Sequence, residues 1–114
     1  MKVVKANKWH PVCRKDDLVA NSGVCALVND RQVAIFYVPG EGQTLYAIGN
    51  RDPVGKANVL SRGILADVDG ELTVASPLYK QHFSLVTGQC LEEADVSVPV
   101  YEIALDGDTV LMGE

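Results

Sequence analysis

The chain has 114 residues and a formal net charge of −5, enough for one hydrophobic core and too little for a separate catalytic domain beside it. Its ten Lys and Arg are scattered among fifteen Asp and Glu, which argues against nucleic-acid and anionic-membrane binding, since both depend on clustered cations. No apolar run approaches the roughly 20 residues that span a bilayer. The opening MKVVKANKWHPV lacks a signal-peptide core, and Cys13, Cys25 and Cys90 form no CxxC pair, so reduced thiols in a cytoplasmic protein are expected.

Trp9 to Val12 reads as a lead-in segment, and Lys15-Asp16-Asp17-Leu18 with Asn21-Ser22-Gly23 as a turn ahead of the first strand. Val24–Val28 and Gln32–Val38 are β-rich runs, and Asn29-Asp30-Arg31 between them offers residues that tolerate left-handed backbone, which predicts a hairpin. Pro39-Gly40-Glu41-Gly42 breaks the chain before a third strand, Thr44–Ile48, with either Leu45 and Ala47 or Tyr46 and Ile48 facing the core. Gly49–Gly63 has loop formers in Asn50-Arg51-Asp52-Pro53 and Gly55, and could make one helical turn over Ala57–Leu60.

Ile64–Asp67 and Leu72–Ala75 flank Asp69-Gly70, a dipeptide suited to a tight hairpin turn. Ser76-Pro77-Leu78-Tyr79 is a second loop, because Pro77 lacks the donor a central strand needs; Phe83, Leu85 and Thr87-Gly88 then restart extended structure. Glu92-Glu93-Ala94-Asp95 is polar and exposed, Val98, Val100, Ile103 and Leu105 mark another strand, and Asp106-Gly107-Asp108 turns it into the last one, Thr109–Met112. Short strands at close intervals with almost no helical period predict an all-β chain, a single domain over residues 1–114 built as a small antiparallel β-sandwich or barrel.

Few residues offer chemistry of their own. Neither His10 nor His82 lies at ligand spacing from a cysteine, Cys25 reads as a small hydrophobe inside an apolar strand, and Cys13 and Cys90 are ambiguous. Ser76, His82 and Asp52 can be written as a triad, but no nucleophile elbow surrounds the serine. The glycines form neither GxxxxGK nor GxGxxG and are turn glycines.

Asn50-Arg51-Asp52-Pro53-Val54 and Ser76-Pro77-Leu78-Tyr79, with Leu60-Ser61-Arg62-Gly63 between them and Phe83 to Cys90 after, resemble the paired loops of the Rieske iron-sulfur fold. In that family the loops supply Cys-x-His and Cys-x-x-His to a two-iron two-sulfur cluster. The ligand positions fall here on Asp52, Val54, Ser76 and Tyr79, two hard oxygen groups and two side chains without imidazole, so the resemblance implies a Rieske-like β-sandwich with two facing loops and no cluster.

With Val24-Cys25-Ala26-Leu27, Val33 to Phe36, Val59 to Gly63 and Val74 to Leu78 in place, the pattern is similar to a narrower family, the small subunits of bacterial assimilatory NAD(P)H-dependent nitrite reductase. That resemblance implies a non-redox subunit without catalytic residues. Its large-subunit partner would carry FAD, sirohaem and a four-iron four-sulfur cluster and reduce nitrite to ammonium. Val54, Leu78 and Tyr79 would stand at the loop tip, either filling the space a cluster leaves or capping a surface that contacts the partner. A Rieske electron-transfer protein and a stand-alone binding module are the alternative expectations.

Overall fold

Hairpin turns in this chain rest on residues that accept positive φ. Asn29 and Asp30 adopt φ of 49° and 64°, and Asp69 and Gly70 adopt 53° and 87°, the left-handed pairs that match a two-residue turn to the twist of its strands. The structure is a computed structural model and describes residues 8–40 and 42–113. Met1–Asn7 of the opening segment and Glu41 of the predicted break at residues 39–42 lie outside the described residues.

The strands are β1 (Trp9–Arg14), β2 (Ser22–Val28), β3 (Arg31–Tyr37), β4 (Leu45–Gly49), β5 (Arg51–Asp52), β6 (Ala57–Asn58), β7 (Ile64–Val68), β8 (Glu71–Ala75), β9 (His82–Ser84), β10 (Val100–Tyr101), β11 (Ile103–Asp106) and β12 (Thr109–Gly113). They form a middle sheet in the order β10-β4-β3-β2, an outer sheet β1-β12-β11, a second outer sheet β7-β8-β9 and the small pair β5-β6. Every pairing between these strands is antiparallel.

The middle sheet is covered on both faces. Val33, Ile35 and Ala47 pack with Ala26, Val28 and Met112 against the β1-β12-β11 side. Ala34, Phe36 and Ile48 pack with Leu60, Val74, Phe83, Leu85, Cys90 and Val98 on the β7-β8-β9 side. A strand buried on both faces needs no polar alternation, which is why Val33-Ala34-Ile35-Phe36 is uninterrupted and why Leu45, Ala47 and Ile48 are all buried instead of one alternate set.

Four readings of the sequence change. Residues 9–14 are a strand, not a lead-in: β1 pairs only with β12 and shifts register between Pro11 and Cys13, the edge-and-bulge position that proline tolerates. Residues 15–17 are a 3₁₀ turn between β1 and β2, so that turn follows the first strand. The helical turn near residue 60 is a 3₁₀ turn at Leu60–Arg62, while Ala57 and Asn58 pair with Asp52 and Arg51. The run Val98–Leu105 holds two strands, because β10 joins the middle sheet and β11 the outer one, and apolar spacing does not disclose which neighbour a strand finds.

Gly88 shows how tightly the loop after β9 is seated. Its φ is 78°, it is buried, and a Cβ there would collide with the carbonyl oxygen of Val98, whose N–H donates to Gly88 O at 2.9 Å. Gly88→Ala is therefore expected to lower the stability to urea by about 2 kcal/mol or more through strain and clash together, read as a lower denaturation midpoint with an unchanged slope.

Candidate functional site

Two loops project from adjoining strand ends. The first, residues 50–60, is anchored by Asn50, a buried residue with five hydrogen bonds, four of them to oxygen or nitrogen partners. Its N–H donates to Gln32 O at 3.0 Å and its O accepts from Leu60 N at 3.1 Å. Its Nδ2 donates to Gln32 Oε1 at 3.0 Å and its Oδ1 accepts from Ser61 N at 2.7 Å. One amide side chain thus ties both ends of the loop to β3 and to the 3₁₀ turn, a role that its reading as a loop former does not reveal. The second loop, residues 76–81, closes on itself, with Ser76 N donating to Gln81 O at 2.9 Å and Lys80 N to Ser76 O at 3.0 Å.

Asp52 joins the two. It is completely buried. Its Oδ1 accepts from Val54 N at 2.8 Å and Gly55 N at 3.1 Å, and its Oδ2 accepts from the Ser76 hydroxyl at 2.5 Å. Ser76 Oγ in turn accepts from Leu78 N at 3.3 Å. A buried carboxylate is costly unless its lone pairs are filled, and here backbone donors of one loop and a hydroxyl of the other fill them. Gly55 lets Leu78 close over this bond, since a Cβ at residue 55 would collide with Leu78 Cδ1.

These four positions do not fit a two-iron cluster. Asp52 and Ser76 spend their oxygens on each other and on backbone N–H groups, Val54 has no donor atom, and Tyr79 is 66% exposed. Hard oxygen donors are poor substitutes for soft thiolates. Among the described residues no three His, Cys, Asp or Glu are grouped as metal ligands.

Other candidates also find their places. Ser76 meets Asp52, but His82 Nδ1 donates to Glu92 Oε2 at 2.7 Å and its backbone N–H donates to Glu92 Oε1 at 2.7 Å, so no triad forms. Cys25 lies in β2 as expected, yet its side chain is exposed and not a core hydrophobe; it faces outward beside Gln32 Oε1 and Asn50 Nδ2, each 3.5 Å from its sulfur. Cys90 is in the core and Cys13 half-buried, and burial pushes both thiols up, away from reactivity. An open cavity of about 360 Å³ lies beside the first loop, lined by Arg31, Gln32, Asn50, Arg51, Pro99 and Tyr101 among others.

Two loops held at the end of stacked antiparallel sheets define the class. The chain belongs to the Rieske-like [2Fe-2S] domain family, whose profile matches residues 8–113. It is 46% identical over 108 residues to the small subunit of nitrite reductase (NADH) from Escherichia coli (strain K12), covering 94% of this chain and 99% of the relative. The solution structure of the E. coli protein NirD superposes with a TM-score of 0.81 at 45% identity, covering 92% of this chain and 94% of that one. A third relative is the large subunit of nitrite reductase [NAD(P)H] from Klebsiella oxytoca, 35% identical over 105 residues, which are 92% of this chain and 11% of that polypeptide. Within the Rieske-like family the chain therefore sits among the nitrite reductase small subunits.

Two measurements test this geometry. Asp52→Ala strands three donors in a closed site and is expected to cost about 2–4 kcal/mol in urea unfolding, with Asp52→Asn losing less than half of that because one side-chain oxygen remains. Burial raises the Glu92 carboxyl, but the backbone, imidazole and charge of His82 outweigh it and hold Glu92 below its ordinary range. A lowered folded pKa gives stability that is present above the unfolded value and lost as the pH falls through the folded one. Stability should therefore fall more steeply in wild type than in Glu92→Gln from roughly pH 5 to pH 3, measured as urea midpoints.

Proposed function

We propose that this chain is the small, non-redox accessory subunit of a cytoplasmic NAD(P)H-dependent nitrite reductase. Its large-subunit partner carries FAD, sirohaem and a four-iron four-sulfur cluster and reduces nitrite to ammonium. One observation carries this reading: identity to nitrite reductase small subunits along nearly the whole chain coincides with two loops joined by a buried carboxylate and a hydroxyl, Asp52 and Ser76, the residues that the resemblance aligns with the thiolates of a cluster. The Klebsiella relative supports the choice of partner, because a domain like this one is part of a large-subunit polypeptide there.

The loop tip is the contact surface in this reading. Val54 is half-buried, Leu78 is 45% and Tyr79 66% exposed, and all three are carried on loops that the Asp52–Ser76 bond fixes in place. An exposed Tyr on a rigid loop is a common interface anchor because it buries a large area with little rotamer freedom to lose. Loops on a stable sheet core are reusable in this way once a metal is no longer their purpose.

The test is co-purification with the large subunit. Tyr79→Ala combined with Val54→Asp should weaken association by at least about tenfold, equivalent to roughly 1.4 kcal/mol, with the urea midpoint as a check on folding. Unchanged association would remove the tip from the interface. Co-elution with a polypeptide lacking sirohaem would point instead to a stand-alone binding module.

A further inference from the structure

Four of the eight Lys and Arg among the described residues, Arg51, Lys56, Arg62 and Lys80, lie in or beside the two loops, all with exposed side chains. Residues 50–66 and 76–82 contain one acid, Asp52, and it is buried. None of the four cations is in an ion pair among the described residues. Glu92, the acid bonded to His82 of β9, is engaged by that residue. Asp67, Asp69 and Glu71 sit toward the far end of the β7–β8 hairpin, roughly 10–15 Å along the strands from Ile64 at about 3.3 Å per residue. A chain of net charge −5 thus presents a cationic end.

That end also carries exposed apolar side chains. Leu78 and Tyr79 stand there with Ile64, which at 76% is the most exposed large hydrophobic residue among those described and pairs across the sheet with Ala75, the residue before Ser76. The backbone singles out two of the cations. Among the described residues, those other than glycine with positive φ are Asn21, Asn29, Asp30 and Asp69, types that tolerate it, and Lys56 and Lys80 at 58° and 61°. Each lysine closes its loop in the same way, Lys56 N donating to Asp52 O at 2.7 Å and Lys80 N to Ser76 O at 3.0 Å. Glycine or asparagine would occupy either position with less strain. Strained residues held in place at the tip of a rigid site are a signature of use, and what a lysine adds there is its charge.

We infer that Lys56 and Lys80, flanked by Arg51 and Arg62, make the loop tip a cation-rimmed apolar docking face for an acid-rimmed apolar patch on the nitrite reductase large subunit. The inference rests on the reading that this tip contacts the large subunit, and it adds the chemistry of the surface that meets it. The large subunit is the occupant because a related domain is built into such a polypeptide. Four cations without an extended basic face are too few for a nucleic-acid track, and they are well suited to orient a protein encounter at short range.

The experiment measures association of the full chain with the large subunit from about 20 to 300 mM salt, across which screening tightens from roughly 20 Å to 6 Å. The double variant Lys56→Asn, Lys80→Asn keeps side chains that accept left-handed backbone, so its thermal midpoint should stay within about 4 °C of wild type. Its association rate at low salt should fall about tenfold and depend less on salt. Arg62→Gln, which involves no left-handed residue, should give a smaller loss of the same kind, while Tyr79→Ala should speed dissociation at every salt concentration. If Tyr79→Ala weakens the complex but salt and both cation variants do not, the tip docks and the charged rim is refuted. If none of the variants changes association, the tip is not the docking face and both readings fall. Salt-sensitive retention of the wild-type chain on phosphatidylserine vesicles or duplex DNA, lost in the double variant, would overturn the assignment to a protein partner.

Discussion

A carboxylate withdrawn from water must be given other donors, and the loop end of this molecule is arranged around that requirement. Asp52 takes two backbone N–H groups from its own loop and the Ser76 hydroxyl from the other, so desolvating one side chain couples two segments 24 positions apart. In cluster-bearing members of the fold a metal centre makes this connection through four ligand bonds. Here a single charge-assisted bond does so. The tether fixes the two loops relative to each other through protein groups alone.

The tether works because its supports are rigid. β8 delivers Ser76 from a sheet whose Val74 and Phe83 are completely buried, and β4 runs directly into Asn50, which holds the first loop by both ends. The middle sheet is packed on both faces by separate clusters, so neither loop can shift without disturbing a close-packed core. Precision at the tip is thus inherited from layers that never reach it.

Rigidity also explains how an acidic chain can have a cationic end. Arg51, Lys56, Arg62 and Lys80 are spread over 30 residues, and the folding of β7 and β8 as an antiparallel pair brings Gly63 and Ile64 back beside Val74 and Ala75. The acids of the same hairpin are carried to its opposite end. Charge segregation of this kind arises from strand direction, because each antiparallel turn sends alternate loop clusters to opposite ends of the molecule.

Turn chemistry was legible in the residues themselves: Asn29-Asp30, Asp69-Gly70 and Gly107 accept the left-handed backbone that tight turns impose, a local property needing no partner. So was the absence of iron ligands, since Asp, Val, Ser and Tyr carry their donor chemistry wherever they fold. Strand partnership was not. Residues 9–14 read as a lead-in, and only β12 beside them makes an edge strand with a bulge; the run from Val98 to Leu105 reads as one strand, although its apolar alternation slips by one residue between Val100 and Ile103, where it passes from one sheet to the other. Cys25 belongs to an apolar run and still faces solvent, because side-chain direction depends on the pairing register and on what covers each face. The scattered cations likewise became a patch only when the chain folded back on itself. Local conformational preference and donor chemistry are intrinsic to a residue, whereas exposure, charge density and the Asp52–Ser76 bond exist only between segments that the tertiary fold brings together.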